Sequence, residues 1–138
     1  MKIAADANVL LSAVIGGRAK LVLSHSEVEE ILTTEATLAE VQEYAGQIAA
    51  RRGIPLSLIL LSTATLPVTV VDRMAYAPSM AEAQGKIEKR DPDDVELLAL
   101  ALQFDVPVWS NDSDFEGTGV TWYTTATLLA KLDRADKN

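Results

Sequence analysis

Asp6, Glu40, Asp94, Asp112 and Asp114 are the side chains of this sequence whose type and spacing could support chemistry. Carboxylates held near one another repel and raise each other's pKa, so a group of four or five needs a cation. The chain has no cysteine and one histidine, His25, which excludes a thiolate zinc site, a thiol nucleophile and a His-rich centre. Oxygen donors alone select Mg²⁺ or Mn²⁺. Each acid also has an ordinary structural use. Asp6 can cap a helix, and Thr37-Leu38-Ala39-Glu40 fits a capping box with Asp94 standing in the same relation to Asp91. Asp112 and Asp114 can shape a turn.

The elements decide whether these acids meet. Lys2 to Ala5 is an apolar run that stops at Asp6, and Asn8 to Ile15 carries apolar residues at helical spacing. A second helix is expected from about Arg18 to Ser24, a strand at Ile31 to Thr33, and a long helix from Thr37 to Arg52 ended by Gly53. Pro55 opens another helix to about Thr63, Val68 to Val71 is strand-like, and a polar helix is expected between Ala75 and Lys89. Asp91-Pro92-Asp93-Asp94 has the form of a helix start, leading to Phe104. Val106 to Ser110 and Val120 to Tyr123 complete the strands, with a closing helix from Thr125 to about Leu132.

This alternation predicts a three-layer α/β fold with a mainly parallel five-stranded sheet. Residues 1–138 read as a single domain with a core to about 130 and a short polar tail. In such a sheet ligands lie beyond the carboxyl ends of the strands, so Asp6, Glu40, Asp112 and Asp114 are expected on one crevice. Asp94 precedes a strand rather than following one. It reaches that crevice only if the Ala75 to Lys89 segment turns the chain back over the sheet.

A net charge of −8 argues at first against a polyanionic partner. Seven of the eight excess negative charges fall between Glu82 and Glu116, where ten acids face three bases. A divalent ion in an acidic crevice would reverse the local field there. Lys86, Lys89, Arg90, Arg51 and Arg52 are candidate grips for flanking phosphates, and equally ordinary surface charges. The most apolar stretch, Leu56 to Leu61, is too short to span a membrane, and the early acid at Asp6 does not suit a signal peptide, so a cytoplasmic location is expected.

The motifs Asp6-Ala7-Asn8-Val9-Leu10, Glu40, Asp93-Asp94 before Leu97-Leu98-Ala99-Leu100-Ala101, and Ser110-Asn111-Asp112-Ser113-Asp114-Phe115 resemble, in order and spacing, those of the PIN domain. That is the fold of many prokaryotic toxin ribonucleases, the VapC-like toxins among them. The resemblance runs from residue 1 to about 130. It implies metal-dependent hydrolysis of RNA, with Asp6, Glu40, Asp94 and Asp112 as catalytic acids and Asp114 as a fifth or substitute ligand. It also brings Asp94 into the site, and puts Asn8 and Ser110 in the supporting positions, Ser110 standing where Thr is more usual.

Family members of this size are commonly toxins held by a small antitoxin and often form homodimers, so both partners are implied alongside the RNA substrate. Two other readings compete. A catalytically degenerate PIN domain could act as an RNA-binding or protein-interaction module, which EDTA-sensitive RNA cleavage would separate from the enzyme. An Mg²⁺-dependent phosphohydrolase is disfavoured because Asp6-Ala7-Asn8 departs from Asp-x-Asp and no lysine ends a strand. Nothing resembles a P-loop, a dinucleotide-binding loop or an HExxH zinc motif.

Overall fold

A computed structural model describes residues 1–137. Five strands, β1 (Lys2–Ala5), β2 (Glu30–Thr34), β3 (Thr69–Val71), β4 (Val108–Trp109) and β5 (Trp122–Tyr123), form one sheet in the order β3-β2-β1-β4-β5. Every pairing is parallel, so the mainly parallel expectation becomes a wholly parallel sheet. From β1 the chain winds outward through β2 and β3, then crosses back to place β4 on the other side of β1. The order reverses between β1 and β4, and the crevice beyond their carboxyl ends is where such sheets bind ligands.

The period-two alternation of strand side chains separates two cores. Ile3, Ala5, Ile31 and Trp109 face α1 (Ala7–Val14), α2 (Ala19–Leu23) and α8 (Thr125–Asp136), where Leu10, Val22 and Leu128 complete one buried cluster. Ala4, Leu32 and Val108 face the other way, against Ile87 of α6 (Met80–Ile87) and Leu97, Leu98 and Leu100 of α7 (Val95–Phe104). A smaller cluster joins α3 (Glu35–Arg52) to α4 (Leu56–Ala64) through Ala45, Ala49 and Ile59. Only Ile59 and Thr63 of α4 are buried, and Leu56, Leu58, Leu60 and Leu61 are each about half exposed.

Three elements differ from the sequence reading for local reasons. The helix α3 starts at Glu35, because Thr34 rather than Thr37 is its cap: Thr34 accepts the Thr37 amide at 3.0 Å. Gly53 closes that helix at φ +65°, a left-handed conformation in which a Cβ is strained. The polar segment expected as one helix is broken into α5 (Arg73–Tyr76), a 3₁₀ turn at Ala77–Ser79 and α6. Pro78 within that turn has no amide to continue a helical ladder. The closing helix continues past Leu132 to Asp136, where the exposed last turn meets the chain after α2 through His25–Asp133 at 3.0 Å and Ser26–Asp136 at 3.1 Å, so most of the expected tail is helical; Asn138 lies outside the described residues. Among the described residues no helix is long and apolar enough to cross a membrane.

The break at Pro78 matters for the site. After β3 the chain runs through α5 and then reverses, so that α6 returns antiparallel to α7. The Ser79 hydroxyl before α6 donates to the Gln103 side chain near the end of α7 at 2.7 Å. This reversal carries Asp91 and Asp94 back to the edge where β1 and β4 end.

Candidate metal centre

Asp6 follows β1 directly and caps α1, its Oδ1 accepting the Ala7 amide at 2.7 Å. The cap occupies one carboxylate oxygen. The other, Oδ2, accepts the Ser110 hydroxyl at 2.7 Å and, more weakly, the Asn8 amide group at 3.3 Å. Asp6 is buried, and burial pushes its pKa up, with Ser110 and the Ala7 amide opposing the shift and Asp112 and Asp91 adding to it.

Ser110 follows β4 directly, with no exposed surface. Its oxygen also accepts the Asn8 side chain at 3.1 Å and the Asp112 amide at 3.0 Å. Asn8 in turn accepts the Asn111 amide at 3.1 Å, and Asn111 accepts the Thr125 amide at 2.8 Å. The carboxyl ends of β1 and β4 and the start of α8 are thus one hydrogen-bonded unit. Asn111 was not singled out in the sequence; its side chain links two strand ends, and only the strand order reveals that link.

Asp94 lies in a 3₁₀ turn, Pro92–Asp94, capped by Asp91, whose Oδ1 accepts the Asp93 amide at 2.9 Å. The capping-box alternative for Asp94 fails because the Asp91 amide already donates to the carbonyl of Ile87, at 3.0 Å. Asp94 is 6% exposed, and burial together with Asp6, Asp91, Asp112 and Asp114 pushes its pKa up to about 8. On the opposite wall Asp112 caps a second 3₁₀ turn, Ser113–Phe115, accepting the Asp114 amide at 3.0 Å. The Asp114 pKa is raised as well, with slight desolvation first among the causes, followed by the charge of Asp112.

Oxygen atoms of Asp91, Asp94, Asp112 and Asp114 lie within 4.8 Å of one another. These are hard donors with no nitrogen or sulfur among them, on an acidic wall where burial and then the neighbouring charges raise the pKa of Asp94, and the set fits a divalent cation. Asp91, read from sequence as a cap alone, is both cap and member of this group. Its place beside Asp94 in the sequence was the available signal. Asp6 is not one of the four, although its charge acts on Asp94.

Glu40 stands on the first turns of α3, outside that group. Its capping-box alternative also fails, since Thr34 holds the helix start. It lines a polar recess of about 310 Å³ with Glu43, Tyr44, Asp93 and Glu96. Burial, then Asp6, Asp93, Asp91 and Glu43, push its pKa up to about 7, which ties it electrostatically to the same crevice. Of the candidate phosphate grips, Arg90 is committed elsewhere: it donates to the carbonyls of Asp114 and Glu116.

Comparison with curated protein sequences yields no significant match. Among solved structures, PAE2754 from Pyrobaculum aerophilum superposes with a TM-score of 0.75 at 14% identity, over 97% of this chain and 96% of that one. VapBC2 from Rickettsia felis, bound to a DNA fragment from its promoter, gives 0.67 at 12% identity over 90% of this chain and 98% of that one. DNA-bound VapBC from Salmonella typhimurium gives 0.67 at 16%, over 91% and 98%. At these identities the likeness is one of fold. The sequence model of the PIN domain matches residues 4–133, nearly the whole chain, and this protein therefore belongs to the PIN-domain family.

Proposed function

We propose that this protein is a metal-dependent endoribonuclease that hydrolyses RNA phosphodiester bonds in the cytoplasm. The observation that carries the reading is the convergence of Asp91, Asp94, Asp112 and Asp114 at the sheet's reversal point, beside a buried Asp6, in a PIN domain. Asp6, Asp94, Asp112 and Asp114 would hold Mg²⁺ or Mn²⁺, with Asp91 joining them and Glu40 completing the catalytic acids from the facing wall. When bound, such an ion supplies an activated water and neutralises charge on the scissile phosphate. Asn8 and Ser110 orient Asp6. Glu40, with a pKa near 7, can exchange a proton with the reacting group at neutral pH.

The PIN assignment and the VapBC neighbours support a toxin held by a small antitoxin protein. The half-exposed leucines Leu56, Leu58, Leu60 and Leu61 of α4 support a protein contact, and we assign a homodimer as one such contact. Residues 1–138 would act as one domain.

The decisive experiment incubates the purified protein with labelled single-stranded RNA, structured RNA and DNA, with Mn²⁺ or with EDTA. Mn²⁺-dependent cleavage of RNA, lost in Asp94→Asn, is the expected result. Undiminished cleavage after exhaustive EDTA treatment would reject metal dependence, and RNA binding without cleavage in Mn²⁺ would leave the protein a binding module.

A further inference from the structure

Arg90 ends the segment between α6 and the four-acid group, one residue before Asp91. Its backbone is fastened to the core, the Arg90 amide donating to the carbonyl of the fully buried Ile87 at 2.9 Å. Its side chain reaches across the crevice wall. Nη1 donates to the carbonyl of Asp114 at 2.8 Å and to that of Glu116 at 2.6 Å. Both carbonyls belong to the loop after β4, which carries Asp112 and Asp114. Lys86, one turn earlier on α6, lies over the same loop, where a Cβ on Gly119 would come within 2.9 Å of its Nζ.

The acids come in two halves, Asp91 with Asp94 before α7 and Asp112 with Asp114 after β4. Their charges drive the halves apart, and among the described residues no backbone–backbone hydrogen bond joins Asp91 or Asp94 to Asp112 or Asp114. The loop has an anchor in the core, since Phe115 is fully buried and Thr118 donates to its carbonyl at 2.7 Å. That anchor keeps the loop folded. The guanidinium does something different: it ties the loop laterally to the residue preceding Asp91, by hydrogen bonds strengthened by its charge.

We propose that Arg90 is a positioning residue for the metal site, acting through the Asp114 and Glu116 carbonyls to set the separation of Asp112 and Asp114 from Asp91 and Asp94. The inference rests on the metal reading given above. A fixed positive charge beside a cation site works against affinity on its own account, so position and charge predict opposite signs. That opposition makes the role measurable.

The test compares wild type, Arg90→Gln and Arg90→Lys by Mn²⁺ titration calorimetry, and by hydrogen exchange of amides 112–117 in EDTA. Arg90 is exposed, so circular dichroism and melting in EDTA should stay close to wild type. Positioning predicts that Arg90→Gln weakens Mn²⁺ binding about tenfold or more, the scale found for residues that orient metal ligands. Arg90→Lys keeps the charge but loses the planar fork and some reach, and should fall between the two. Loop amides should exchange faster in both variants without metal. Binding by Arg90→Gln as tight as wild type, or tighter, would overturn the proposal. If Arg90→Gln does not fold, an Arg90→Lys that binds Mn²⁺ like wild type overturns it equally. Should wild type bind no Mn²⁺, the metal reading falls by itself, and unchanged loop exchange in the variants would then dispose of the strap as well.

Discussion

The single hydroxyl proton of Ser110 is donated to Oδ2 of Asp6, at 2.7 Å, while Ser110 Oγ itself accepts from the Asn8 side chain and from the Asp112 amide. A serine hydroxyl has one donor and two acceptor positions, and all three are used. The bond joins the end of β4 to the end of β1 over 104 residues of sequence. It favours the ionised form of a carboxylate whose pKa burial pushes up.

Ser110→Ala should therefore raise the Asp6 pKa further and leave Oδ2 with the weaker Asn8 contact. Loss of a hydrogen bond to a charged group is worth about 1.5–3 kcal/mol. Urea unfolding at pH 8 should show a loss of that order. A variant as stable as wild type there would mean that the bond contributes little.

Asp6→Asn and Asp94→Asn should abolish RNA cleavage and keep the fold. Asparagine caps helices as well as aspartate does, so α1 retains its cap in Asp6→Asn. Circular dichroism should match wild type in both. Wild-type rates on RNA with Mn²⁺ in either variant would remove that residue from the catalytic set.

Without metal, stability should fall as pH rises. Asp94 and Glu40 have folded-state pKa values near 8 and 7, above those of free carboxylates, so the folded state binds more protons than the unfolded state between about pH 4 and pH 8. The stabilisation they give is complete below pH 4 and is lost as pH passes through 7 and 8. Melting in EDTA should drop between pH 5 and pH 8.5, by about 3–6 °C for each 1 kcal/mol lost. Mn²⁺ should stabilise more strongly at the upper end, where it competes with fewer protons. A melting temperature that rises across this range in EDTA would contradict the assignment.

Asp112 separates charge from capping in one position. Asp112→Asn keeps an acceptor for the Asp114 amide and removes a repelling charge, so in EDTA it should melt at or above wild type. Asp112→Ala loses the cap and should cost about 1 kcal/mol. Both should lose most of the Mn²⁺ stabilisation, which for wild type is about 2.7 kcal/mol at a hundredfold excess over Kd. If Asp112→Asn melts lower in EDTA and retains the full Mn²⁺ shift, the carboxylate is structural.

Strand and helix periodicity made most of this architecture legible, because Ile3, Ala5 and Trp109 alternate with Ala4 and Val108 between two buried faces. It also located Asp6 and Ser110 at strand ends. Asp94 was not legible by that route: its place depends on the reversal after Pro78, which is set by packing of α6 on α7. Asp91 was hidden behind a correct but partial reading as a cap. Thr37 was read as a cap, and the helix starts one turn earlier because the Thr34 hydroxyl accepts the Thr37 amide, a bond between two buried residues that neither threonine alone announces. Arg90 looked like a surface charge because its partners are backbone carbonyls, which sequence does not display.

The sheet is a common wall between two separately packed cores, and the acids are divided between them. Asp6 caps α1 and Glu40 precedes Val41 of α3, and both helices bury residues in the cluster on one face, whereas Asp91 and Asp94 belong to the α6 and α7 layer on the other. Layers of this kind can open independently, each as its own cooperative unit. A cation held by acids of both layers would penalise either opening alone. Metal binding would then do more than stabilise: it would couple two foldons into one, sharpening the unfolding transition and slowing exchange in α7 together with α1.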